Sequence, residues 1–186
     1  TTMANKVLVE AEERMKKALE AVRRELSGIR SGKASPALLD SVRVEAYGQA
    51  MALNQVGQVS APEARLLVVQ PYDRSLVKAV SRALQQSDLG LNPTDDGTVV
   101  RVPIPALTEE RRRDLVKVIA KFAEEGRVHM RQVRHDTLHE LKKQGKDGTL
   151  PEDEERRLET ETQKLTDRYI ALVDELLKKK TAEVME

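Results

Sequence analysis

The chain has 186 residues, with 32 Lys and Arg against 31 Asp and Glu, no Cys, no Trp, three Tyr and one Phe. Without Cys there is no disulfide, thiolate nucleophile or Cys-ligated metal, and four aromatics build neither a base-stacking platform nor an aromatic-lined ligand pocket. A hydrophobic fraction of 39% beside a charged fraction of 34% favours long solvated helices over one compact globule.

The first flank carries Val7, Ala11, Met15, Ala18, Val22 and Leu26 at steps of three and four, one apolar stripe of a helix running from about Met3 to Gly28. Proline and glycine then become dense: Pro36, Pro62, Pro71, Pro93, Pro103 and Pro105 all fall in residues 32–105. Within that stretch, residues 42–47, 65–69 and 98–102 are β-rich runs between turn residues. Residues 75–86 are helical in period through Leu76, Val77, Val80, Ala83 and Leu84, so the stretch reads as a small β/α domain. Asp95 and Asp96 beside Gly97 read as a turn.

After Pro105, Thr108 with Glu109 and Glu110 opens a second long helix, whose face is Leu115, Ile119, Phe122, Gly126, Met130, Val133, Thr137 and Leu141. Gly145 and the turn at Lys146, Asp147 and Gly148 end it. Pro151 and the acids at 152–155 open a third, with Leu158, Thr162, Leu165, Tyr169, Leu172 and Leu176 as a heptad seam. Helices of ~26, ~37 and ~34 residues span roughly 40–55 Å, and none buries its stripe alone. The expected fold class is therefore α+β: an elongated antiparallel three-helix bundle (1–31 and 106–186) with an inserted small β/α domain (32–105). The two connectors, near 31–32 and 102–105, form a hinge at Ser31, Gly32, Pro103 and Pro105, of restricted range because the prolines are stiff.

Net charge is divided unevenly: residues 106–150 hold eleven basic and eight acidic side chains, residues 151–186 seven and eleven. On a wheel of the second helix, Arg113, Lys117, Lys121, Arg127, Arg131, Arg134 and Lys142 lie within about 80° of Arg113, opposite the apolar face and interrupted only by Glu124. Such a stripe, ~40 Å long and rich in guanidinium forks, suits phosphate tracking. The competing reading is a solvated face of ordinary charges; the sequence shows no acids at i,i+4 between Arg127, Arg131 and Arg134 to pair them. With so few aromatics, shape and backbone recognition of structured RNA fits better than base reading.

Catalytic and metal sites are not assembled. His135 and His139 stand four apart, but a zinc-protease helix needs Glu directly after the first His and a third ligand, so they read as surface histidines. His129 borders the apolar face and reads as packed. Arg30, Ser31, Gly32 and Lys33 follow a helix rather than a strand, unlike a phosphate loop. No catalytic residue, metal, cofactor or small-molecule substrate is expected.

Three motifs carry a resemblance: RSGKASP from Arg30 to Pro36, SDLGLNP from Ser87 to Pro93, and RVPIPALTEERRRDL from Arg101 to Leu115. In order and across the chain, they resemble the bacterial ribosome recycling factor family. The resemblance implies an L-shaped, tRNA-sized monomer in the cytoplasm, with no membrane association. It also implies binding between the ribosomal subunits after termination, against large-subunit RNA, and splitting of the subunits with elongation factor G and GTP, with release of mRNA. Family RNA-contacting arginines match Arg131 and Arg134; Arg30 and Arg112 match basic family positions. Lys33 stands where the family more often has Arg, and His135 where a second Arg is common. The expected RNA-binding set is Arg30, Lys33, Arg112, Arg113, Lys117, Lys121, Arg127, Arg131 and Arg134. The alternative function is a helical scaffold or chaperone that holds protein partners on its apolar seams.

Overall fold

A computed structural model describes residues 3–186, which form two compact units: residues 3–30 with Glu109–Glu186, and Ser31–Thr108. In the first unit, α1 (Met3–Ser27), α4 (Glu109–Lys146) and α5 (Glu152–Met185) have 25, 38 and 34 residues. Each packs on both others. Glu109 and Glu110 sit in the first turn of α4, and Glu152, Asp153, Glu154 and Glu155 in that of α5, where carboxylates complement the exposed N–H ends of the helix dipole.

The buried seam of α1 is Ala11, Met15, Leu19, Val22 and Leu26. Leu19 thus occupies the place expected for Ala18, because the larger side chain gains more by leaving water. In α4 Ala123 replaces the expected Phe122, which stays half-buried. The largest revision is in α5: the buried line is Leu158, Thr162, Thr166, Tyr169 and Val173, while Leu165, Leu172 and Leu176 flank it half-buried. The axis is crowded by close helix approach, and threonine fits there because it silences its own hydroxyl. Thr162 donates to the Leu158 carbonyl at 2.7 Å, Thr166 to that of Thr162 at 2.8 Å and Thr137 to that of Val133 at 2.7 Å. Each buried hydroxyl is thereby satisfied within its own helix, removing the penalty of an unpaired polar group. At α4's end, the N–H groups of Thr149 and Leu150 both donate to the Gln144 carbonyl, turning the chain toward α5. Leu141, Leu150 and Leu158 seal that end with Val7 and Leu8 against them.

The second unit contains a hairpin of β1 (Arg43–Ala46) and β2 (Gln49–Ala52), a short α2 (Leu53–Val56), and a four-stranded sheet. The sheet is ordered β3 (Gly57–Glu63), β4 (Leu66–Pro71), β6 (Val100–Pro103), β5 (Thr94–Asp95), antiparallel throughout. The expected strands recur as β1, β4 and β6; the sequences of β2, β3 and β5 alternate weakly and gain strand geometry from pairing. The helix expected over 75–86 begins as a 3-10 turn, Arg74–Leu76, and continues as α3 (Val77–Gln85). Val77, Val80 and Leu84 of α3 pack with Leu67, Val69, Val100 and Val102 of the sheet. Asp96 accepts from the N–H groups of Thr98 and Val99, both at 2.9 Å, which makes the turn read from Asp95, Asp96 and Gly97.

Both ends of this unit are pinned at the β3–β4 turn. The Ala34 N–H donates to the Ala64 carbonyl at 2.7 Å, and the Ile104 N–H to the Arg65 carbonyl at 2.8 Å. Gly32, at φ +79°, places its Cα so that a Cβ would lie 3.0 Å from Leu107 Cγ. The outgoing and returning chains therefore leave side by side.

Candidate nucleic-acid interface

The α4 face opposite the buried seam carries the cations read from the sequence, but in three different states. Lys117 and Lys121 are exposed and Arg134 half-buried, and their side chains pair with no described residue. Arg113 is exposed and donates to Glu109 at 2.7 Å, one turn back on α4. Arg131 meets Glu124 at 3.1 Å.

Arg127 is different. Its side chain is only 19% exposed, with contacts to Asp174 on α5 at 2.7 Å and Glu124 at 2.9 Å. Burial alone would lower its pKa; the hydrogen bonds it donates to Asp174 and Glu124, with their negative charges, more than reverse this and leave it raised. Arg127 is thus a tie between α4 and α5, with little of its fork left for an outside anion. This corrects the expectation that Arg127 and Arg131 lack acids to pair them: Glu124, the one interruption of the stripe, engages both, and Asp174 engages Arg127 as well. Glu124 lies three residues before Arg127 and seven before Arg131, and Asp174 comes from another helix, so an i,i+4 search within α4 misses both. Hydrogen bonds from Arg131 and then Arg127 hold the Glu124 carboxyl below its ordinary range, so it is charged at neutral pH.

Arg112 is half-buried, with Nη2 reaching the Glu186 carbonyl at 3.3 Å and a buried Nε that finds no partner. Arg30 is exposed at the end of the bundle unit and unpaired among the described residues; Lys33 is exposed in the other unit. Of the expected hinge residues, Ser31 and Gly32 precede the Ala34 anchor. Pro103 is the last residue of β6, opposite Leu66, and Pro105 follows the anchored Ile104.

His135 and His139 are exposed, and so is His129, against the expectation of a packed side chain. Its imidazole lines the open groove between α1 and α4, together with Phe122, Gly126 and Val133. Among the described residues, no three His, Asp or Glu side chains converge on a point that could hold a metal ion, and no helix is long and apolar enough to cross a membrane.

The family described as ribosome recycling factor matches residues 22–185. The chain belongs to the ribosome recycling factor family. The ribosome-recycling factor of Symbiobacterium thermophilum is 54% identical over 184 residues, covering 99% of this chain and all of that one. That of Bacillus subtilis is 48% identical with the same coverage. Two structures agree along the full length. A solution structure of the ribosome recycling factor aligns with TM-score 0.73 and 39% identity over 100% of this chain and 98% of its own. The T. thermophilus ribosome recycling factor, described with E. coli elongation factor G on the E. coli post-termination complex, aligns with TM-score 0.63 and 45% identity over the whole of both chains.

The three motifs that resemble the recycling factor family lie at connections between elements. RSGKASP is the outgoing connector, anchored by Ala34 on Ala64. SDLGLNP leaves α3, with Ser87 Oγ on the Leu84 carbonyl at 2.7 Å and Leu91 buried. RVPIPALTEERRRDL is β6, the return connector and the first turns of α4.

Proposed function

We propose that this chain recycles ribosomes after translation termination: it binds the post-termination ribosome between the subunits through large-subunit RNA. With elongation factor G and GTP it then promotes subunit splitting and release of mRNA. The observation that carries this reading is the full-length likeness to a recycling factor described together with elongation factor G on a post-termination complex.

The bundle supplies RNA contacts through the unpaired Lys117, Lys121, Arg134 and Arg30, with Arg131, Arg113 and Arg112 of the same unit, and the inserted unit adds Lys33. Each of the paired cations exchanges a solvated carboxylate or carbonyl for a phosphate oxygen, a small loss for exposed pairs. Arg127 remains in the expected set as the weakest member, since using it would uncover Asp174. The bundle of 1–31 and 106–186 and the insert of 32–105 act as two bodies joined at hinges near 31–32 and 102–105. Gly32 and Pro105 lie outside the backbone anchors at Ala34 and Ile104, so bending there breaks no sheet bond. Thrust from the translocase on one body is thus turned into displacement at the other. The chain works in the cytoplasm as a monomer and is not an enzyme; nucleotide hydrolysis belongs to its partner.

A polysome-breakdown assay tests this: the chain should convert polysomes to subunits only with elongation factor G and GTP together. Equal breakdown without either would overturn the reading.

A further inference from the structure

The second unit's seven basic and seven acidic residues balance, and as with the whole chain's net charge of +1 the small sum hides a polarised surface. Arg74 in the 3-10 turn and Lys78 and Arg82 in α3 follow at intervals of four, about 6 Å of rise each. Val77, Val80 and Leu84 take the inner face, so these cations point outward. All three are exposed, and none of their side chains meets a described carboxylate. The helix contains no Asp or Glu. The nearest acid in sequence, Asp73, is already engaged: it accepts from Ser75 N and Oγ and from the Tyr47 hydroxyl, at 2.8–2.9 Å. Next to it stands Tyr72, 74% exposed, with Tyr47 at 69%. Two of the chain's four aromatics are therefore presented to solvent at one end of an all-basic helix face.

We infer that the outer face of α3, Arg74, Lys78 and Arg82 with Tyr72 at its end, is a second RNA-contacting surface that grips phosphates of a structured RNA. Three unpaired cations in a row with no neutralising acid complement a polyanion, and they hold no partner that RNA would have to displace. The buried core of a protein interface is more apolar than the surface around it and depleted in charge, whereas the helix exposes only Lys78, Arg82 and Gln85. An exposed tyrosine serves RNA by stacking on an unpaired base. The inference rests on ribosome association by the full chain, which the unaltered protein reports by itself.

The experiment has two arms, both on purified ribosomes. In the first, the salt dependence of binding is compared for the unaltered chain and the triple variant Arg74→Gln, Lys78→Gln, Arg82→Gln. Loss of three phosphate contacts should flatten the slope of log K against log salt by about 2 to 3 and weaken binding by at least about tenfold at physiological salt. An unchanged slope overturns the inference. In the second arm, a photo-crosslinking p-benzoylphenylalanine replaces Gln85, on the same face, leaving every cation in place and not depending on the triple variant's folding. A nuclease-sensitive adduct with ribosomal RNA is expected; adducts with protein alone, or none, overturn the inference in favour of a protein partner or a solvated face. Failure of the unaltered chain to bind ribosomes at all would sink the proposed function as well, and so separates the two.

Discussion

Gly126 of α4 meets Val22 of α1 so closely that a Cβ on the glycine would lie 2.5 Å from Val22 Cγ2, with both γ-carbons of Val173 on α5 at 3.7 Å. All three helices converge there, which is why a helix-weakening glycine stands in the middle of a 38-residue helix.

Gly126→Ala sets two effects against each other. Helix propensity favours alanine by up to about 1 kcal/mol, but overpacking a tight core costs about 1–3 kcal/mol. Val22 is β-branched on a helix and held to one rotamer, so it cannot swing away and the clash wins. The expected result is net destabilisation in urea unfolding, with Val22→Ala in the same chain recovering part of it by opening the space. A more stable single variant would refute the convergence of helices at this point.

Arg127 and Arg134 are seven residues apart and should separate structure from binding. Arg134→Glu, at an unpaired half-buried site, should leave the unfolding midpoint near that of the parent and sharply weaken cosedimentation with large subunits. Arg127→Gln should remove the α4–α5 tie and cost about 1 kcal/mol of stability, with a smaller effect on binding. If Arg30, Lys117, Lys121, Arg131 and Arg134 neutralise about five phosphates, they alone should contribute about −4 to the slope of log K against log salt. Cosedimentation that ignores Arg134→Glu would remove the α4 face from the RNA-binding surface.

Acid should loosen the bundle through two ion-paired carboxylates, Asp136 across to α1 and Glu124 within α4. The Arg14 guanidinium, at 3.0 Å, and then the Gln132 amide hold Asp136 below its usual pKa. Glu124 is lowered by Arg131 and Arg127. A carboxyl whose folded pKa is depressed contributes stability that is full above its unfolded pKa and is lost as pH falls through the folded value. The urea midpoint should therefore hold above about pH 5 and drop as the pH falls below it, and Asp136→Asn should narrow the drop, having lost its share at the higher pH. Both groups are exposed, so the change is modest and shrinks in high salt. A variant whose midpoint falls as far as the parent's would show that Asp136 contributes nothing to the acid response.

Periodicity alone placed three long helices and an insert of mixed character, because apolar steps of three and four, proline density and acidic helix starts are local properties of the chain. It also put the cations of α4 on one face, since angular position on a helix follows from residue number. Three things lay beyond it. Which of two adjacent residues faces the axis, Leu19 or Ala18, Thr166 or Leu165, depends on where the neighbouring helices lie. Which cations are free depends on carboxylates from elsewhere: Asp174 is 47 residues from Arg127 in sequence and 2.7 Å away in space. The strands β2, β3 and β5 pair with their sequence neighbours β1, β4 and β6, but their own residues alternate too weakly to mark them, and the pairing supplies the strand geometry. A helix is specified within the reach of its own hydrogen bonds, and those bonds close over four residues; the free or engaged state of its charges is set by packing, which tertiary structure alone decides.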